Sequence, residues 1–485
     1  MNFTEDCIRN LFGPEAAEDE NIKRLKEYYF KSDIYDLIHN DLPLRILVGH
    51  KGVGKSAAFK VSCEENRMKK RIAIWIRPDD IMELCQENTN LLQMIRDWKN
   101  GLSSIIFEKV IESVGIDQSS KTGSTINLAG RLIGKVTEVF KKSITEVADI
   151  TTLQSDSIRT YLKSSQIYVY IDDLDRGWTG TQLSIQRISA LLNAARDLTN
   201  DNPGLCIRIS LRSDVYYLVR TSDESTDKIE GSVIWYEWTQ HQILCMLAKR
   251  IQAYNGVVLS ERQLLKIPQF KVAEYYNGVF AERFKGSGKW NNVPIHKVLA
   301  SMIRRRPRDL VKLCTMSARS ARGNGHDLIF TDDWMENFDS YSQERLQDTI
   351  NEYKSELPEI ERLLLGMKPS GNEHRSKEEF IYTSDELLAK IKTIEGGQPF
   401  TFSKGTKAST EELAAFLYKI NFLVARKKIE GEETINRRYF EDHKYLSNRF
   451  VDFGYSWEVH PAFRWALYPS AGNNIYTSLN VDNEI

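Results

Sequence analysis

Residues 44–56 read LRILVGHKGVGKS, an apolar run followed by a glycine-rich loop. Leu44–Val48 is short and apolar and ends at a glycine, which predicts a buried strand. Gly49–Ser56 fits the pattern G-x-x-x-x-G-K-[ST] at every position. The residues that continue from Ser56 (SAAFKVSC) favour a helix. A strand, a glycine loop and a helix in this order place successive backbone N–H groups around one phosphate.

The residue types of this loop predict a nucleoside triphosphate with Mg²⁺ as the ligand. We expect Lys55 to reach the β- and γ-phosphates and the Ser56 hydroxyl to ligate the metal. Nine residues form the predicted nucleotide-binding set: Gly49, His50, Lys51, Gly52, Val53, Gly54, Lys55, Ser56 and Ala57. For His50 we expect a backbone contribution rather than a catalytic side chain. The alternative to the whole site is a chance glycine-rich turn at the start of a helix.

A second apolar run, Ile167–Ile171 (IYVYI), ends in two acids. A phosphate loop needs a carboxylate at the carboxyl end of another strand of the sheet to hold its metal. Asp172 is therefore the predicted Mg²⁺ ligand, through water, and Asp173 is predicted to orient or deprotonate the attacking water. The alternative is that these acids open a helix, with Asp175 as an N-cap. No N-K-x-D segment, which would read guanine, follows this strand, so a GTPase of the translational type is not expected.

Two further apolar runs, Arg71–Ile76 and Leu205–Leu211, complete a set of four strands separated by helical stretches. The pattern predicts an α/β fold of the P-loop NTPase type, in which helices flank a parallel sheet. We place this core at 44–238, with a helical insertion at about 80–160, after an N-terminal helical segment at 1–43. Near the end of the core, the aromatic sequence WYEW at 235–238 is interpreted as core packing rather than as a platform for stacked bases.

The second half of the chain predicts two more units. Helical periodicity dominates 239–365, which we interpret as a lid domain, and a linker-like composition follows it. Residues 376–485 predict a C-terminal α+β domain, with helices at 384–394 and 410–424 before short strand patterns. A helix pair followed by a hairpin is typical of a winged helix, which binds either DNA or protein. The absence of a strong basic stripe favours protein.

Composition narrows the function classes. The 485 residues are 41% hydrophobic, and 66 basic residues nearly balance 67 acidic ones, so the net charge is −1. This composition is that of a globular protein, and no bulk charge draws the chain to nucleic acid or to an anionic membrane. The six cysteines lack metal-ligand spacing, and no apolar run is long enough to cross a bilayer. We expect a cytoplasmic protein without membrane contact.

Four blocks of sequence resemble a bacterial P-loop ATPase family within the KAP/STAND-like, AAA-related group: FGPEAAEDE at 12–20, GHKGVGKS at 49–56, IYVYIDDLDRGW at 167–178 and RRRPRDL at 304–310. The resemblance runs in blocks over about the first 350 residues. It implies ATP binding, slow hydrolysis and a switching or signalling role, often in antiviral defence against phage. The Asp-Asp ending of the acidic strand departs from the Asp-Glu that is common in AAA enzymes, and the shorter second acid implies slow turnover.

The same resemblance implies roles for several arginines. AAA-related enzymes place a polar sensor at the end of the strand beside the acidic one, where Ser210 or Arg212 would contact the γ-phosphate. The alternative for Arg212 is a salt bridge to Asp214. These enzymes also carry an arginine on a lid helix, for which Arg308 is the first choice and Arg306 the second.

Two functions stay open at this point. The first is an ATP-hydrolysing switch whose lid movement changes how the C-terminal domain meets a protein effector or a second copy of the chain. In that case Arg176 could act across a subunit interface. The second is a nucleic-acid-associated motor or clamp that uses a winged-helix-like domain together with Arg304–Arg308. That arginine segment would then contact phosphates, and the remaining alternative for it is a solvated basic turn.

Overall fold

The computed structural model describes residues 1–82, 84, 90–113, 166–222, 224–370, 379–428, 435–442, 454–469, 475–476 and 479. Most of the predicted insertion at 80–160 lies outside these residues. So does the central part of the predicted linker, 371–378.

Five parallel strands form the central sheet of the chain. They are β1 Leu44–Gly49, β2 Ile72–Ile76, β3 Ile167–Ile171, β4 Leu205–Arg212 and β5 Val233–Trp235, in the spatial order β2-β3-β4-β1-β5. Every neighbouring pair is parallel, so all five carboxyl ends meet at one edge. The α/β P-loop fold class is thereby confirmed, and β5 is an addition to the four predicted strands.

Helices cover both faces of this sheet, which is why its strands are mostly apolar, although Arg208 and Ser210 lie buried within β4. The helices of this part are α1 Glu5–Phe12, α2 Ile22–Tyr28, α3 Asp33–His39, α4 Lys55–Met68, α5 Pro78–Ile81, α6 Leu91–Ser113, α7 Gln182–Asp201 and α8 Ser213–Ser222. On one face α6 and α7 pack against the sheet and enclose an aliphatic core. On the other face lies α4, which α2 and α3 cover.

The next segment is mainly helical, as predicted for the lid. Its elements are α9 Gln240–Tyr254, α10 Glu261–Leu264, α11 Gln269–Ala273, β6 Arg283–Lys285, β7 Asn291–Pro294, α12 Ile295–Met302, α13 Pro307–Gly323, α14 Thr331–Tyr353 and α15 Ile360–Gly366. Short 3-10 helices lie at Ala17–Asp19, Glu224–Ser232, Glu274–Tyr276 and Gly288–Trp290. Helix α1 packs on α9 and α13. The N-terminal segment therefore shares one hydrophobic core with the lid helices.

The C-terminal region is α+β, as expected. Its elements are β8 Ile381–Tyr382, α16 Ser384–Glu395, α17 Thr410–Lys419, β9 Leu423–Lys428, β10 Ile435–Arg438, β11 Ser456–Val459, a 3-10 helix at Pro461–Phe463 and α18 Arg464–Leu467. The strands form an antiparallel sheet in the order β10-β9-β11-β8. The helix predicted to reach residue 424 is too long, because Asn421 adopts a left-handed φ of 57° and Leu423 already pairs with Val459.

Among the helices that the structure describes, none combines the length and the apolar character needed to cross a bilayer.

Candidate nucleotide-binding site

The phosphate loop connects β1 to α4 at the carboxyl edge of the sheet. Gly52 and Gly54 take left-handed φ values of 85° and 99°, and Gly54 is the N-cap of α4. A Cβ on Gly49 would lie 2.9 Å from the carbonyl oxygen of Tyr236, and one on Gly52 would lie 3.0 Å from Cβ of Arg308. The motif glycines are therefore required both for the backbone conformation and for the close approach of two other segments.

Lys55 folds back over the loop that precedes it. Its Nζ donates to the carbonyl oxygens of Gly49 at 2.8 Å and His50 at 3.1 Å. Burial lowers the pKa of Lys55, while Asp175 and Asp172 oppose that shift. The ammonium group is thus held at the centre of the loop by carbonyl dipoles.

The predicted acids lie at the end of β3, beside this loop. Asp172 is buried and accepts a hydrogen bond from the hydroxyl of Ser210 on the neighbouring strand β4. Asp173 is exposed and has a left-handed φ of 62°. Both acids line the same cavity as Ser56, the residue predicted to ligate the metal. The strand order β3-β4-β1 therefore brings the two predicted metal-binding residues to one site.

The chemistry of this donor set fits Mg²⁺. Mg²⁺ is usually held by one or two protein oxygens together with phosphates and water. Ser56 and Asp172 supply a hydroxyl and a carboxylate at one end of the cavity. In the part of the chain that the structure describes, no group of three or more His, Cys, Asp or Glu residues is placed to hold a metal by itself. The site is thus one that a metal–nucleotide complex would complete.

The cavity has a volume of about 250 Å³ and is closed on one side by the N-terminal segment. The lining residues that the sequence had not assigned are largely apolar or aromatic: Pro14, Ala17, Leu25, Tyr28, Tyr29, Phe30, Tyr236, Trp238, Met246 and Val311. A pocket of this character beside a phosphate loop is suited to a nucleobase. Two sequence signals bear on it: the FGPEAAEDE block, which has no chemical pattern of its own, and the aromatic segment at 235–238, whose Tyr236 and Trp238 line the cavity as well as packing inside the protein.

Asp175 and Arg212 form an ion pair. Their positions bear on two alternatives from the sequence: Asp175 as a helix N-cap, and Arg212 in a salt bridge to Asp214. Helix α7 begins at Gln182 with Thr181 as its N-cap, so the interpretation of Asp175 as a helix N-cap is wrong. Arg212 Nη1 lies 3.3 Å from Asp175 Oδ2, and Arg212 Nη2 lies 2.5 Å from Asp214 Oδ2. Arg212 also lines the cavity. The predicted salt bridge to Asp214 is therefore present, and it holds Arg212 at the end of β4 beside the acids.

Three of the arginines before α13 are buried within the chain. Arg304 pairs with Asp309, with Nε to Oδ2 at 2.8 Å. Arg305 pairs with Asp442, and Arg306 pairs with Glu352. The interpretation of this segment as a solvated basic turn, or as a phosphate-contacting surface, is wrong for these three, because each guanidinium already faces a carboxylate inside the protein. Arg306 lines a separate small cavity together with His50, and it does not line the cavity that contains the acids.

Arg308 differs from its neighbours. It is partly exposed and lines the nucleotide cavity. Its backbone N–H donates to the carbonyl oxygen of Gly52 at 3.2 Å, and its Nε donates to that of Glu15 at 3.3 Å. The first turn of α13 is thereby attached directly to the phosphate loop.

Arg176 lies on the far side of the acids. It is exposed and lines a second, more open cavity of about 600 Å³, which also contains Asp172 and Asp173. The two acids therefore border this cavity as well as the one at the phosphate loop.

The His50 ring is buried, and the expectation that only its backbone takes part is incomplete. Its Nε2 lies 2.5 Å from Glu441 Oε1, and its Nδ1 lies 2.8 Å from the Tyr353 hydroxyl and 3.0 Å from that of Ser213. These contacts fit an imidazole that donates from Nε2 and accepts at Nδ1. The motif pattern allows any residue at this position, so sequence gave no signal for these contacts.

The aromatic segment after β5 packs inside the protein, as interpreted. Tyr236 and Trp238 are buried, and the Trp238 indole donates to the carbonyl oxygen of Val53 at 2.7 Å. The Tyr236 hydroxyl lies 3.1 Å from that of Tyr29. These rings therefore support the phosphate loop and join it to the N-terminal segment.

No protein-family model matches the chain. It is 23% identical over 465 residues to the "Putative transposon gamma-delta 80.3 kDa protein" of Escherichia coli (strain K12). That match covers 88% of this chain and 63% of the relative, so the chain spans less than two thirds of the curated relative's length. At this identity the match does not establish a shared family.

The solved structures that resemble the chain include proteins from two archaea. Cdc6p from Pyrobaculum aerophilum has a TM-score of 0.32 and 13% identity, over 98% of this chain and 99% of that chain. The Aeropyrum pernix ORC2 protein, in ADPNP–ADP complexes, has a TM-score of 0.42 and 11% identity, over 89% and 88%. The Aeropyrum pernix ORC1 protein in complex with DNA has a TM-score of 0.35 and 10% identity, over 96% and 97%. With TM-scores below 0.5, these likenesses do not extend the functions of those proteins to this chain.

Proposed function

We propose that the chain binds ATP with Mg²⁺ at the carboxyl edge of its parallel sheet and hydrolyses it slowly, as a switch. The observation that carries this proposal is the convergence of a complete phosphate loop, two acids and two arginines on one cavity. These residues come from four separate segments of the chain: the loop, the ends of β3 and β4, and the start of α13. A chance glycine turn would not be accompanied by these partners.

In the proposed complex, Ser56 and Asp172 hold the metal. The metal would neutralise phosphate charge and help to align the phosphates. Lys55 would exchange the carbonyl oxygens of Gly49 and His50 for the β- and γ-phosphates. Because that ammonium is partly buried, water screens its attraction to phosphate less than it would at an open surface.

Asp173 is the proposed group that orients the attacking water and accepts its proton, because it is exposed and lies beside Asp172. Arg308 would stabilise the charge that develops on the transferring phosphoryl group. Because the backbone N–H of Arg308 donates to Gly52, a change in the phosphate loop on nucleotide binding would be passed to helix α13.

Slow turnover is part of the proposal. The positive charge of Arg212 is already shared between Asp214 and Asp175, which leaves less of it for the γ-phosphate. The short side chain of Asp173 also has to reach the water from a strained backbone position.

The family and the partners are proposed on sequence evidence alone. The four sequence blocks support a place in the KAP/STAND-like group of ATPases. A protein effector, self-association and a role in antiviral defence are implications of that resemblance. The alternative, a nucleic-acid motor or clamp, was based on a winged-helix-like domain and on phosphate contacts by Arg304–Arg308. Because Arg304, Arg305 and Arg306 are buried, the second of these arguments is weakened.

The test is Mg²⁺-dependent ATP hydrolysis by the wild type, Lys55→Ala and Asp173→Asn, with and without DNA. Lys266→Ala is the matched control, since that lysine is exposed on the lid, outside the cavity. Slow hydrolysis that is lost in both site variants, kept in the control and indifferent to DNA is the expected result. Strong stimulation by DNA would favour the motor, and hydrolysis that persists in both site variants would refute the proposed site.

A further inference from the structure

A turn of the C-terminal region contacts the phosphate loop from behind. We call Tyr439–Asp442, which follows β10, the acidic turn. Its two carboxylates face different parts of the nucleotide site. Glu441 contacts the ring of His50, and Asp442 contacts the guanidinium of Arg305.

The first contact is short and lies inside the protein. Glu441 Oε1 lies 2.5 Å from Nε2 of His50, and it also accepts a hydrogen bond from the Asn421 side chain at 2.8 Å. Although burial raises the pKa of Glu441, the neighbouring His50 and Asn421 lower it to about 2. The carboxylate is therefore charged at neutral pH, and a charged group in this setting is costly to leave without its partner.

The second contact holds the arginine segment. Nη1 of Arg305 lies 2.8 and 2.7 Å from the two carboxylate oxygens of Asp442, and the guanidinium stacks 4.3 Å from the ring centroid of Tyr439. Arg305 has a left-handed φ of 53°, which is unfavourable for a residue with a side chain. The contacts with the acidic turn help to offset that cost. Three residues later, Arg308 bonds to Gly52 of the loop.

The acidic turn is itself held by side chains of two helices, α17 and α8. The hydroxyl of Tyr418 on α17 donates to the carbonyl oxygen of Tyr439 at 2.8 Å. Phe440 packs against the rings of Tyr217 and Tyr418, with centroid distances of 5.7 and 5.8 Å. A movement of the phosphate loop or of the arginine segment would therefore act on a turn that is packed against α17 and α8.

We propose that Glu441 and Asp442 are positioning residues of the nucleotide site: the C-terminal region supplies them to hold His50 and Arg305, and nucleotide binding changes these contacts. This inference rests on the proposed ATP site. By thermodynamic linkage, if the contacts favour the ATP-bound loop, then ATP must in turn stabilise the attachment of the acidic turn by the same factor.

The experiment compares the wild type, Glu441→Gln, Asp442→Asn and Lys55→Ala, with Glu411→Gln as the matched control, because Glu411 is an exposed residue of α17. ATP affinity is measured with a fluorescent ATP analogue, and thermal stability is measured with and without ATP. Amide hydrogen exchange of residues 435–442 is followed in the wild type and in Lys55→Ala.

We expect ATP affinity to fall about fivefold or more in Glu441→Gln and Asp442→Asn and to stay unchanged in the control. ATP should slow exchange at 435–442 in the wild type and leave it unchanged in Lys55→Ala. The stabilisation that ATP adds should shrink in both turn variants, whereas a merely structural role would lower Tm equally with and without ATP.

The outcomes separate the two proposals. If the wild type binds ATP but amide exchange at 435–442 has the same rate with and without ATP, the positioning role is overturned and the ATP site stands. The exchange measurement on the wild type decides this even if a turn variant fails to fold. If the wild type binds no ATP, the proposed function fails and this inference fails with it.

Discussion

Glu352 Oε2 lies 2.9 Å from Nη1 of Arg306, in a pair that is almost completely buried. Oε1 of the same carboxylate accepts the backbone N–H of Lys51 in the phosphate loop at 3.1 Å. The carbonyl oxygen of Glu352 accepts from Arg212 at 2.5 Å. The last turn of α14 thus joins the loop, the end of β4 and the arginine segment, and the geometry of the cavity depends on it.

Replacement of Glu352 with Gln tests this junction. Burial alone would raise the pKa of this carboxyl, but Arg306 and Arg212 hold it well below its usual range, so it is ionised in the folded protein. Loss of the charge leaves Arg306 buried without its carboxylate, and we expect the free energy of unfolding to fall by about 3 kcal/mol. Chemical denaturation measures this. Glu359→Gln, in an exposed pair with Arg362, should change stability by less than about 0.5 kcal/mol.

Arg308 and Arg304 should respond differently to replacement by alanine. Arg308→Ala should lower kcat about 100-fold, with a change in stability of about 0.5 kcal/mol at most, because this partly exposed side chain faces the cavity. Arg304→Ala should lower stability by about 3 kcal/mol, because it breaks a buried pair with Asp309. Steady-state kinetics and denaturation separate the two effects. Arg322→Ala, exposed on the same helix, is the control, and an equal loss of kcat there would contradict the assignment of Arg308.

Gly52→Ala tests the fit of the lid helix against the loop. The new methyl group would meet Cβ of Arg308 at 3.0 Å, and the residue would carry a φ of +85°. We expect ATP affinity to fall at least about tenfold, since the backbone cost of about 1–2 kcal/mol adds to the clash. Gly278→Ala, with a φ of +87° and open space around it, should lose similar stability and bind ATP normally. Equal affinities in the two variants would refute the close approach.

His296 predicts a pH dependence of stability. Burial, with a smaller contribution from Lys297, lowers the pKa of this histidine to about 4, whereas it titrates near 6.5 in the unfolded chain. Below pH 6.5 the unfolded state binds the additional proton, so stability falls as the pH falls from 6.5 to about 4. The loss between pH 7 and pH 5 should be about 2 kcal/mol. Denaturation curves at both pH values should show a smaller difference in His296→Gln, and an unchanged difference would contradict this origin.

The phosphate loop and the acidic strand could be predicted because their chemistry is local. Gly49–Ser56 carries its backbone geometry within eight residues, and Ile167–Asp173 carries burial and charge within seven. The parallel sheet followed from the spacing of apolar runs. Strand β5, Val233–Trp235, is only three residues long, which is too short for a pattern to indicate.

The buried ion pairs and the contacts of His50 could not be predicted from the sequence, because their partners are distant along the chain. Arg304, Arg305 and Arg306 look like a solvated basic turn until Asp309, Asp442 and Glu352 are seen to pair with them. The His50 side chain was passed over for the same reason, because Glu441 lies in another region of the chain. The apolar wall of the cavity likewise comes in part from packing of the N-terminal segment, which no local motif encodes.

Binding of ATP at the phosphate loop is the property on which the proposed function rests. It is measured by isothermal titration of the wild type and of Lys55→Ala with ATP in the presence of Mg²⁺, with Lys266→Ala as the control. We expect saturable binding of one ATP per chain by the wild type and by the control, and loss of that binding in Lys55→Ala. Absence of binding to the folded wild type, or equal affinity in Lys55→Ala, would contradict the account.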